Sequence, residues 1–172
     1  MVDTAFRRGR VGETLAATYL VEHGWRVLHR NWRDGPRELD LVVRRERTLA
    51  FIEVKSRKIR PDGRTNGRLS QEVLTEALEA LTWRKRREVE RAARAWIGQF
   101  WKVGMRRAPN GHHGTGLMPQ GGGAALEGEE VYASRPGRPE IRFDVIVVLL
   151  RDDGPPRFRH ISDAWRPGWR RS

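Results

Sequence analysis

Two segments constrain this chain more than any others: Arg37-Glu38-Leu39-Asp40-Leu41-Val42 and, after a short polar break, Phe51-Ile52-Glu53-Val54-Lys55. Both alternate like strands. Successive side chains of a strand point to opposite faces, so Glu53 and Lys55 share one face and Val54 takes the other. A hairpin turning at Glu46-Arg47 sets Arg45 against Thr48, and the same register sets Asp40 opposite Glu53. Facing carboxylates repel across a ladder. A sheet tolerates them when a cation sits between them. The turn is the open point, because Glu46-Arg47 lacks the Asn-Gly or Gly that two-residue hairpins prefer, so a longer loop or a one-residue slip stays open.

Mg²⁺ or Mn²⁺ suits such a position, since these ions take oxygen ligands and one or two carboxylates hold Mg²⁺ together with water and phosphate oxygen. Asp40, Glu53 and the backbone carbonyl of Val54 would be the protein ligands. Lys55 would orient a water or stabilise developing charge. The competing reading is a surface pair of strands whose charges are merely solvated, because Glu-x-Lys alone is a weak motif.

The surrounding pattern predicts an α/β domain. Gly9 to His23 reads as a helix, with Val11, Leu15, Tyr19 and Leu20 at helical spacing and Gly24 as its stop. Arg26 to Asn31 reads as a strand, and Asp34-Gly35-Pro36 as a turn. Glu38 to Arg45 follows as a strand with Leu39, Leu41 and Val43 on one face, then Leu49 to Lys55. Lys58 to Leu69 has loop composition. Ser70 can cap a helix through about Leu81, and Thr82 a second through about Gln99, either separate or continuous, with Val89, Ala92, Ala93 and Trp96 buried. Ile141 to Leu150 is the most apolar strand, suited to the interior of a sheet. Arg157 to Ile161 is a last strand, and Ser162 can cap a short helical turn. The expected whole is one domain over residues 1–172, a mixed sheet flanked by helices, with a mobile Gly/Pro-rich insertion at about 104–139.

Charge narrows the function classes. Lys plus Arg number 34 against 22 acidic residues, for a formal charge of +12. Such a field draws polyanions, of which nucleic acid is the commonest in a cell. Arg84, Arg87, Arg91 and Arg94 recur on one helical face and could track a phosphate backbone, or could simply be a solvated face paired with Glu88 and Glu90. There is no cysteine, which excludes disulfides and cysteine metal sites. No apolar run beyond Val145 to Leu150 and no signal-like N-terminus occur, so a cytoplasmic protein with no membrane partner is expected. No phosphate-binding loop, dinucleotide fingerprint or serine-nucleophile elbow is present. His112 and His113 lack a third ligand, His160 has no visible partner, and Trp165 and Trp169 could stack on bases but more readily pack.

Taken together, the ordered motifs resemble the YraN-like bacterial family. They are Gly9-Arg10-Val11-Gly12-Glu13, Asn31-Trp32-Arg33, Arg37 to Val42, Phe51 to Arg57, Lys85, Arg142-Phe143-Asp144-Val145, and His160-Ile161 with Ala164-Trp165. Arg37 departs from the family's usual glycine. The resemblance implies a restriction-endonuclease-like fold of the PD-(D/E)xK superfamily, with a core like those of tRNA endonucleases and Holliday-junction resolvases. It implies nuclease roles for Asp40, Glu53 and Lys55, and adds Glu13 to the catalytic set, although an acid in a helix's first turn is also favourable in itself. It places Lys85 near the site. The expected nucleic-acid contacts are Arg57, Arg84, Lys85, Arg87 and Arg91, the expected cofactor Mg²⁺ or Mn²⁺, and the expected partner nucleic acid, DNA foremost. A homodimer is a further expectation, since nucleases of this fold often pair to cut two strands. Three readings follow: a metal-dependent endonuclease, a nucleic-acid-binding module that keeps the fold without catalysis, and a protein-binding adaptor.

Overall fold

The computed structural model describes residues 4–59, 71–101, 139–152 and 154–168. The expected insertion lies almost wholly outside the described residues, as do His112, His113, Trp169 and nearly all of the loop after Lys58.

Helix α1 runs Thr4–Glu22. It starts earlier than the apolar pattern suggests, because Arg7 and Arg8, both exposed, are good helix formers that need no buried stripe. Its end follows the sequence. Gly24 has φ +77°, its N–H donates to the carbonyl of Val21, and the N–H of Trp25 donates to that of Leu20. This is a Schellman cap. Its hydrophobic closure is the burial of Trp25 and Leu20 in one cluster.

Five strands form one sheet in sequence order: β1 Arg26–Asp34, β2 Arg37–Arg45, β3 Thr48–Ile59, β4 Glu140–Arg151 and β5 Arg157–Ile161. Strands β1, β2 and β3 form an antiparallel meander. β4 lies parallel to β3, and β5 returns antiparallel to β4. A parallel neighbour demands a crossover, and helices α2 (Gln71–Glu79) and α3 (Trp83–Trp96) lie on that connection. They are separate helices. Thr82 caps α3 by accepting the N–H of Lys85, and a π-helical turn, Ile97–Trp101, continues it.

The sheet is covered on both faces. Ala16, Ala17 and Leu20 of α1 pack on Leu41, Val43, Ala50, Ile52, Ile146 and Val148. Val89, Ala92, Ala93 and Trp96 of α3 pack on the other side, against Val42, Leu49, Phe51, Phe143, Val145 and Val147. This helix–sheet–helix α/β architecture, with its mixed sheet, is consistent with a restriction-endonuclease-like fold.

Several expectations are corrected in detail. Leu39 joins Val42 in the core beneath α3, not Leu41 and Val43 beneath α1. The β1–β2 ladder shifts register between Val27 and His29, and Asn31 takes φ 51°. β3 runs on through Ser56, Arg57 and Lys58, because β4 pairs with it as far as Ile59. β1 continues past Asn31 to Asp34 for the same reason, with β2 as its partner. Ser162 opens a turn, not a helix, with Asp163 at φ 52°.

Candidate functional site

The β2–β3 hairpin has the register that the alternation predicts. Arg45 pairs with Thr48, and pairing continues to Leu41–Ile52. Glu46 takes φ 52° to close the two-residue turn, so the turn forms without glycine at some conformational cost. Beyond Leu41–Ile52 the Asp40 carboxylate replaces a ladder partner: its Oδ2 accepts the N–H of Val54 at 2.7 Å. The carboxyl of Asp40 is thereby set into the parting of the two strands, beside Glu53.

Glu53 is 3 % exposed. A buried carboxylate needs partners, and two lysines supply them at one oxygen. Lys55 Nζ lies 2.9 Å from Glu53 Oε1, and Lys85 Nζ 3.4 Å from the same atom. Lys55 comes from β3 itself, two residues on and on the same face. Lys85 comes from the first turn of α3, which the Thr82 cap holds.

The electrostatics show crowding among the acids. Burial pushes the Asp40 carboxyl up to about 7, with the Glu53 charge adding to the rise and Glu13 contributing from α1. The Val54 hydrogen bond and the Lys85 charge oppose it without cancelling it. For Lys85 burial acts downward, but the charges of Glu53 and Asp40 outweigh it and hold the ammonium above its usual range. Glu13 thus reaches the site through its field. Among the described residues no three histidine, cysteine or acidic side chains converge as a metal-binding group, so the acidic pair Asp40–Glu53 is the centre of the arrangement.

Two carboxylates, one of them short of charge compensation, fit a hard divalent cation, which one or two carboxylates with carbonyl and water oxygens can hold. The fit has a competitor, since the two ammonium groups already share Glu53 Oε1.

The other expected contacts divide. Arg57 is half-buried, and its Nη1 donates to the carbonyl of Ser56. Arg84, Arg87 and Arg91 are exposed on α3. Arg84 pairs with Glu88 at 3.2 Å, and the Arg87 guanidinium lies 5.4 Å from the Trp83 ring centroid. Lys85 alone of this group turns inward to the acids.

Sequence reasoning missed a second polar cluster. Asp144 is fully buried on β4. It accepts Nε and Nη2 of Arg142, both at 2.8 Å, Nε2 of His160 at 2.7 Å and the N–H of Asp163 at 3.0 Å. Burial alone would raise its carboxyl, but the His160 and Arg142 hydrogen bonds dominate and hold it below the usual range. His160 therefore does have a partner. The signal was available: a carboxylate beside the apolar run of a strand, two residues after Arg142, must bring cations with it. Trp165 is buried against Phe143, so it packs as expected. Among the described residues no helix is long and apolar enough to cross a membrane.

The comparisons with known proteins agree with the motifs. The family model described as "Uncharacterised protein family UPF0102" matches residues 12–148. A UPF0102 protein of Chlorobium phaeobacteroides (strain BS1) is 39% identical over 162 residues, covering 91% of this chain and 92% of that relative. One of Bacteroides thetaiotaomicron is 37% identical over 159 residues, covering 92% of each. One of Parvibaculum lavamentivorans is 32% identical over 164 residues, covering 95% of this chain and 84% of its own length. The chain therefore belongs to the UPF0102 family, the YraN-like family that its motifs resemble.

Proposed function

We propose that this protein is a metal-dependent endonuclease that hydrolyses phosphodiester bonds in nucleic acid, DNA foremost, with the Asp40–Glu53 pair as its cation site. The observation that carries the reading is the acidic pair at the parting of β2 and β3, Glu53 buried and Asp40 half-buried, with Lys55 and Lys85 at Glu53, in a chain of charge +12.

Asp40, Glu53 and the carbonyl of Val54 are the groups that would hold Mg²⁺ or Mn²⁺. When bound, the ion would neutralise charge at the phosphate and make a water more acidic. The chain's own groups have separable roles. Glu53 gathers both ammonium groups. With an ion held by the acids, Lys55 would orient water or hold developing negative charge, and Lys85 would meet a phosphate oxygen. Glu13 adds negative potential at Asp40, which draws positive charge to it. Arg57, Arg84, Arg87 and Arg91 are the groups proposed to position the backbone of the substrate. A cytoplasmic location belongs to the same reading. So does a homodimer, which would bring two such sites to a duplex.

One observation favours a second reading. Glu53 is already compensated by two lysines without a metal, as it would be in a non-catalytic nucleic-acid-binding module. A cleavage panel over linear, branched and single-stranded substrates with Mg²⁺ or Mn²⁺ separates the two. The endonuclease reading expects metal-dependent cleavage that Asp40→Ala and Glu53→Ala abolish while the variants stay folded. Salt-sensitive binding with no cleavage under either metal would leave the module.

A further inference from the structure

We infer that Trp83 is a stacking platform for an unpaired base, which makes single-stranded or frayed nucleic acid the preferred substrate. This rests on the nucleic-acid reading above and goes beyond it in naming what the binding face selects.

Trp83 is 74% exposed, in contrast to the buried Trp25, Trp96 and Trp165. An indole in water leaves a large apolar face uncovered, and at the first position of α3 that face is free to take a base. The ring is steadied from one side, where Arg87, one helical turn on, places its guanidinium 5.4 Å from the centroid. Its backbone is fixed by the Thr82 cap.

Its placement relative to the site gives the inference its content. Lys85 sits two residues along the same turn, about 3 Å further along the helix axis, and reaches Glu53 at 3.4 Å. One rigid turn thus presents an open aromatic ring outward and a lysine inward to the acidic pair. The exposed groups that follow on this face include Arg84, Arg87, Arg91 and Arg94, which suit a phosphate backbone. A helix that inserts in a membrane would carry further apolar groups there. A paired base inside a duplex has both faces covered by its neighbours, so only an unpaired or terminal base can stack on the ring.

The test is fluorescence anisotropy of the full chain, in EDTA so that binding is separated from cleavage. The probes are a labelled single-stranded oligonucleotide and a long, fully paired duplex of the same composition, in which terminal bases are a small fraction. Trp83→Ala should weaken single-strand binding about 5- to 150-fold, the range set by ~1–3 kcal/mol for one stacked base, and change duplex binding less than about twofold. Trp83→Phe should recover most of the loss. The dependence on salt should not change, since no charge is removed. Because the ring is exposed, the variants should melt with the wild type. Equal loss for both probes, or loss for neither, would overturn the inference while leaving nucleic-acid binding intact. Reduced binding to anionic vesicles with unchanged oligonucleotide binding would overturn it in favour of a membrane-facing role. A wild-type chain that binds neither probe would instead refute the nucleic-acid reading beneath it.

Discussion

Replacing Gly12 by alanine tests how closely α1 must approach β3 for Glu13 to bear on Asp40. A Cβ built at Gly12 would lie 1.7 Å from Ser56 Oγ, 2.9 Å from Ser56 Cβ and 3.9 Å from Ser56 Cα. The hydroxyl can rotate away, but the Cβ cannot. Carbon atoms pack at about 3.5–4.0 Å, so the helix would have to retreat by roughly 0.6–1 Å. A gap of that size forfeits a quarter to a half of each dispersion contact, and Ala16, Ala17 and Leu20 share the interface. Overpacking of this kind costs about 1–3 kcal/mol, whereas Gly→Ala in an unobstructed helix would stabilise by about 1 kcal/mol. The expected net effect is a loss of up to about 2 kcal/mol. The sign should reverse in a Ser56→Gly background, where only the Cα at ordinary contact distance remains. Ser56 Oγ is buried without a hydrogen-bond partner among the described residues, so that background loses no hydrogen bond. Urea denaturation at constant m-value measures all four corners of the cycle. The same effect of Gly12→Ala in both backgrounds would refute the reasoning.

Three other consequences can be measured directly. Because the folded Asp40 carboxyl is raised to about 7 from 3.8, the metal-free fold binds the extra proton between those values. Asp40's contribution is therefore fully present below about 4 and lost as pH rises through 7. Thermal melts in EDTA should show stability falling from pH 5 to pH 8, and Asp40→Asn should flatten that slope; an unchanged slope would contradict the shift. Glu46→Gly should stabilise by about 0.5–1 kcal/mol, because relieving a left-handed conformation worth about 1–2 kcal/mol outweighs the added chain entropy; destabilisation in urea melts would show that the turn is not strained. Asp144→Ala should cost about 3–5 kcal/mol by leaving Arg142 and His160 without their buried carboxylate; a loss below about 1 kcal/mol would show that β5 does not depend on that cluster.

Features set by local chemistry were readable from the sequence. Alternation on either side of Glu46-Arg47 gave the β2–β3 register, although the turn residues argued against so tight a connection. Thr82 and Gly24 marked helix ends because capping depends on neighbouring residues alone. What escaped depends on distant partners. The extension of β3 to Ile59 is imposed by β4, which a crossover of unknown path brings alongside. The displacement of Leu39 to the other core breaks the simple alternation of β2. Asp144 showed only as a charge in an apolar run, and its link to His160 required knowing that β5 pairs back onto β4. Lys85 was a member of a basic helix by composition; only the resemblance set it beside the acids, and only the packing of α3 shows it turned to Glu53.

Calorimetric titration of Mn²⁺ into the metal-free chain, at pH 8 and again at pH 6, bears most directly on whether Asp40 and Glu53 share a divalent ion. The account predicts one saturable site, tighter at pH 8, that releases a proton on binding near pH 7 and disappears in Asp40→Asn. Absence of saturable binding at either pH, or a site that Asp40→Asn leaves unchanged, would contradict it.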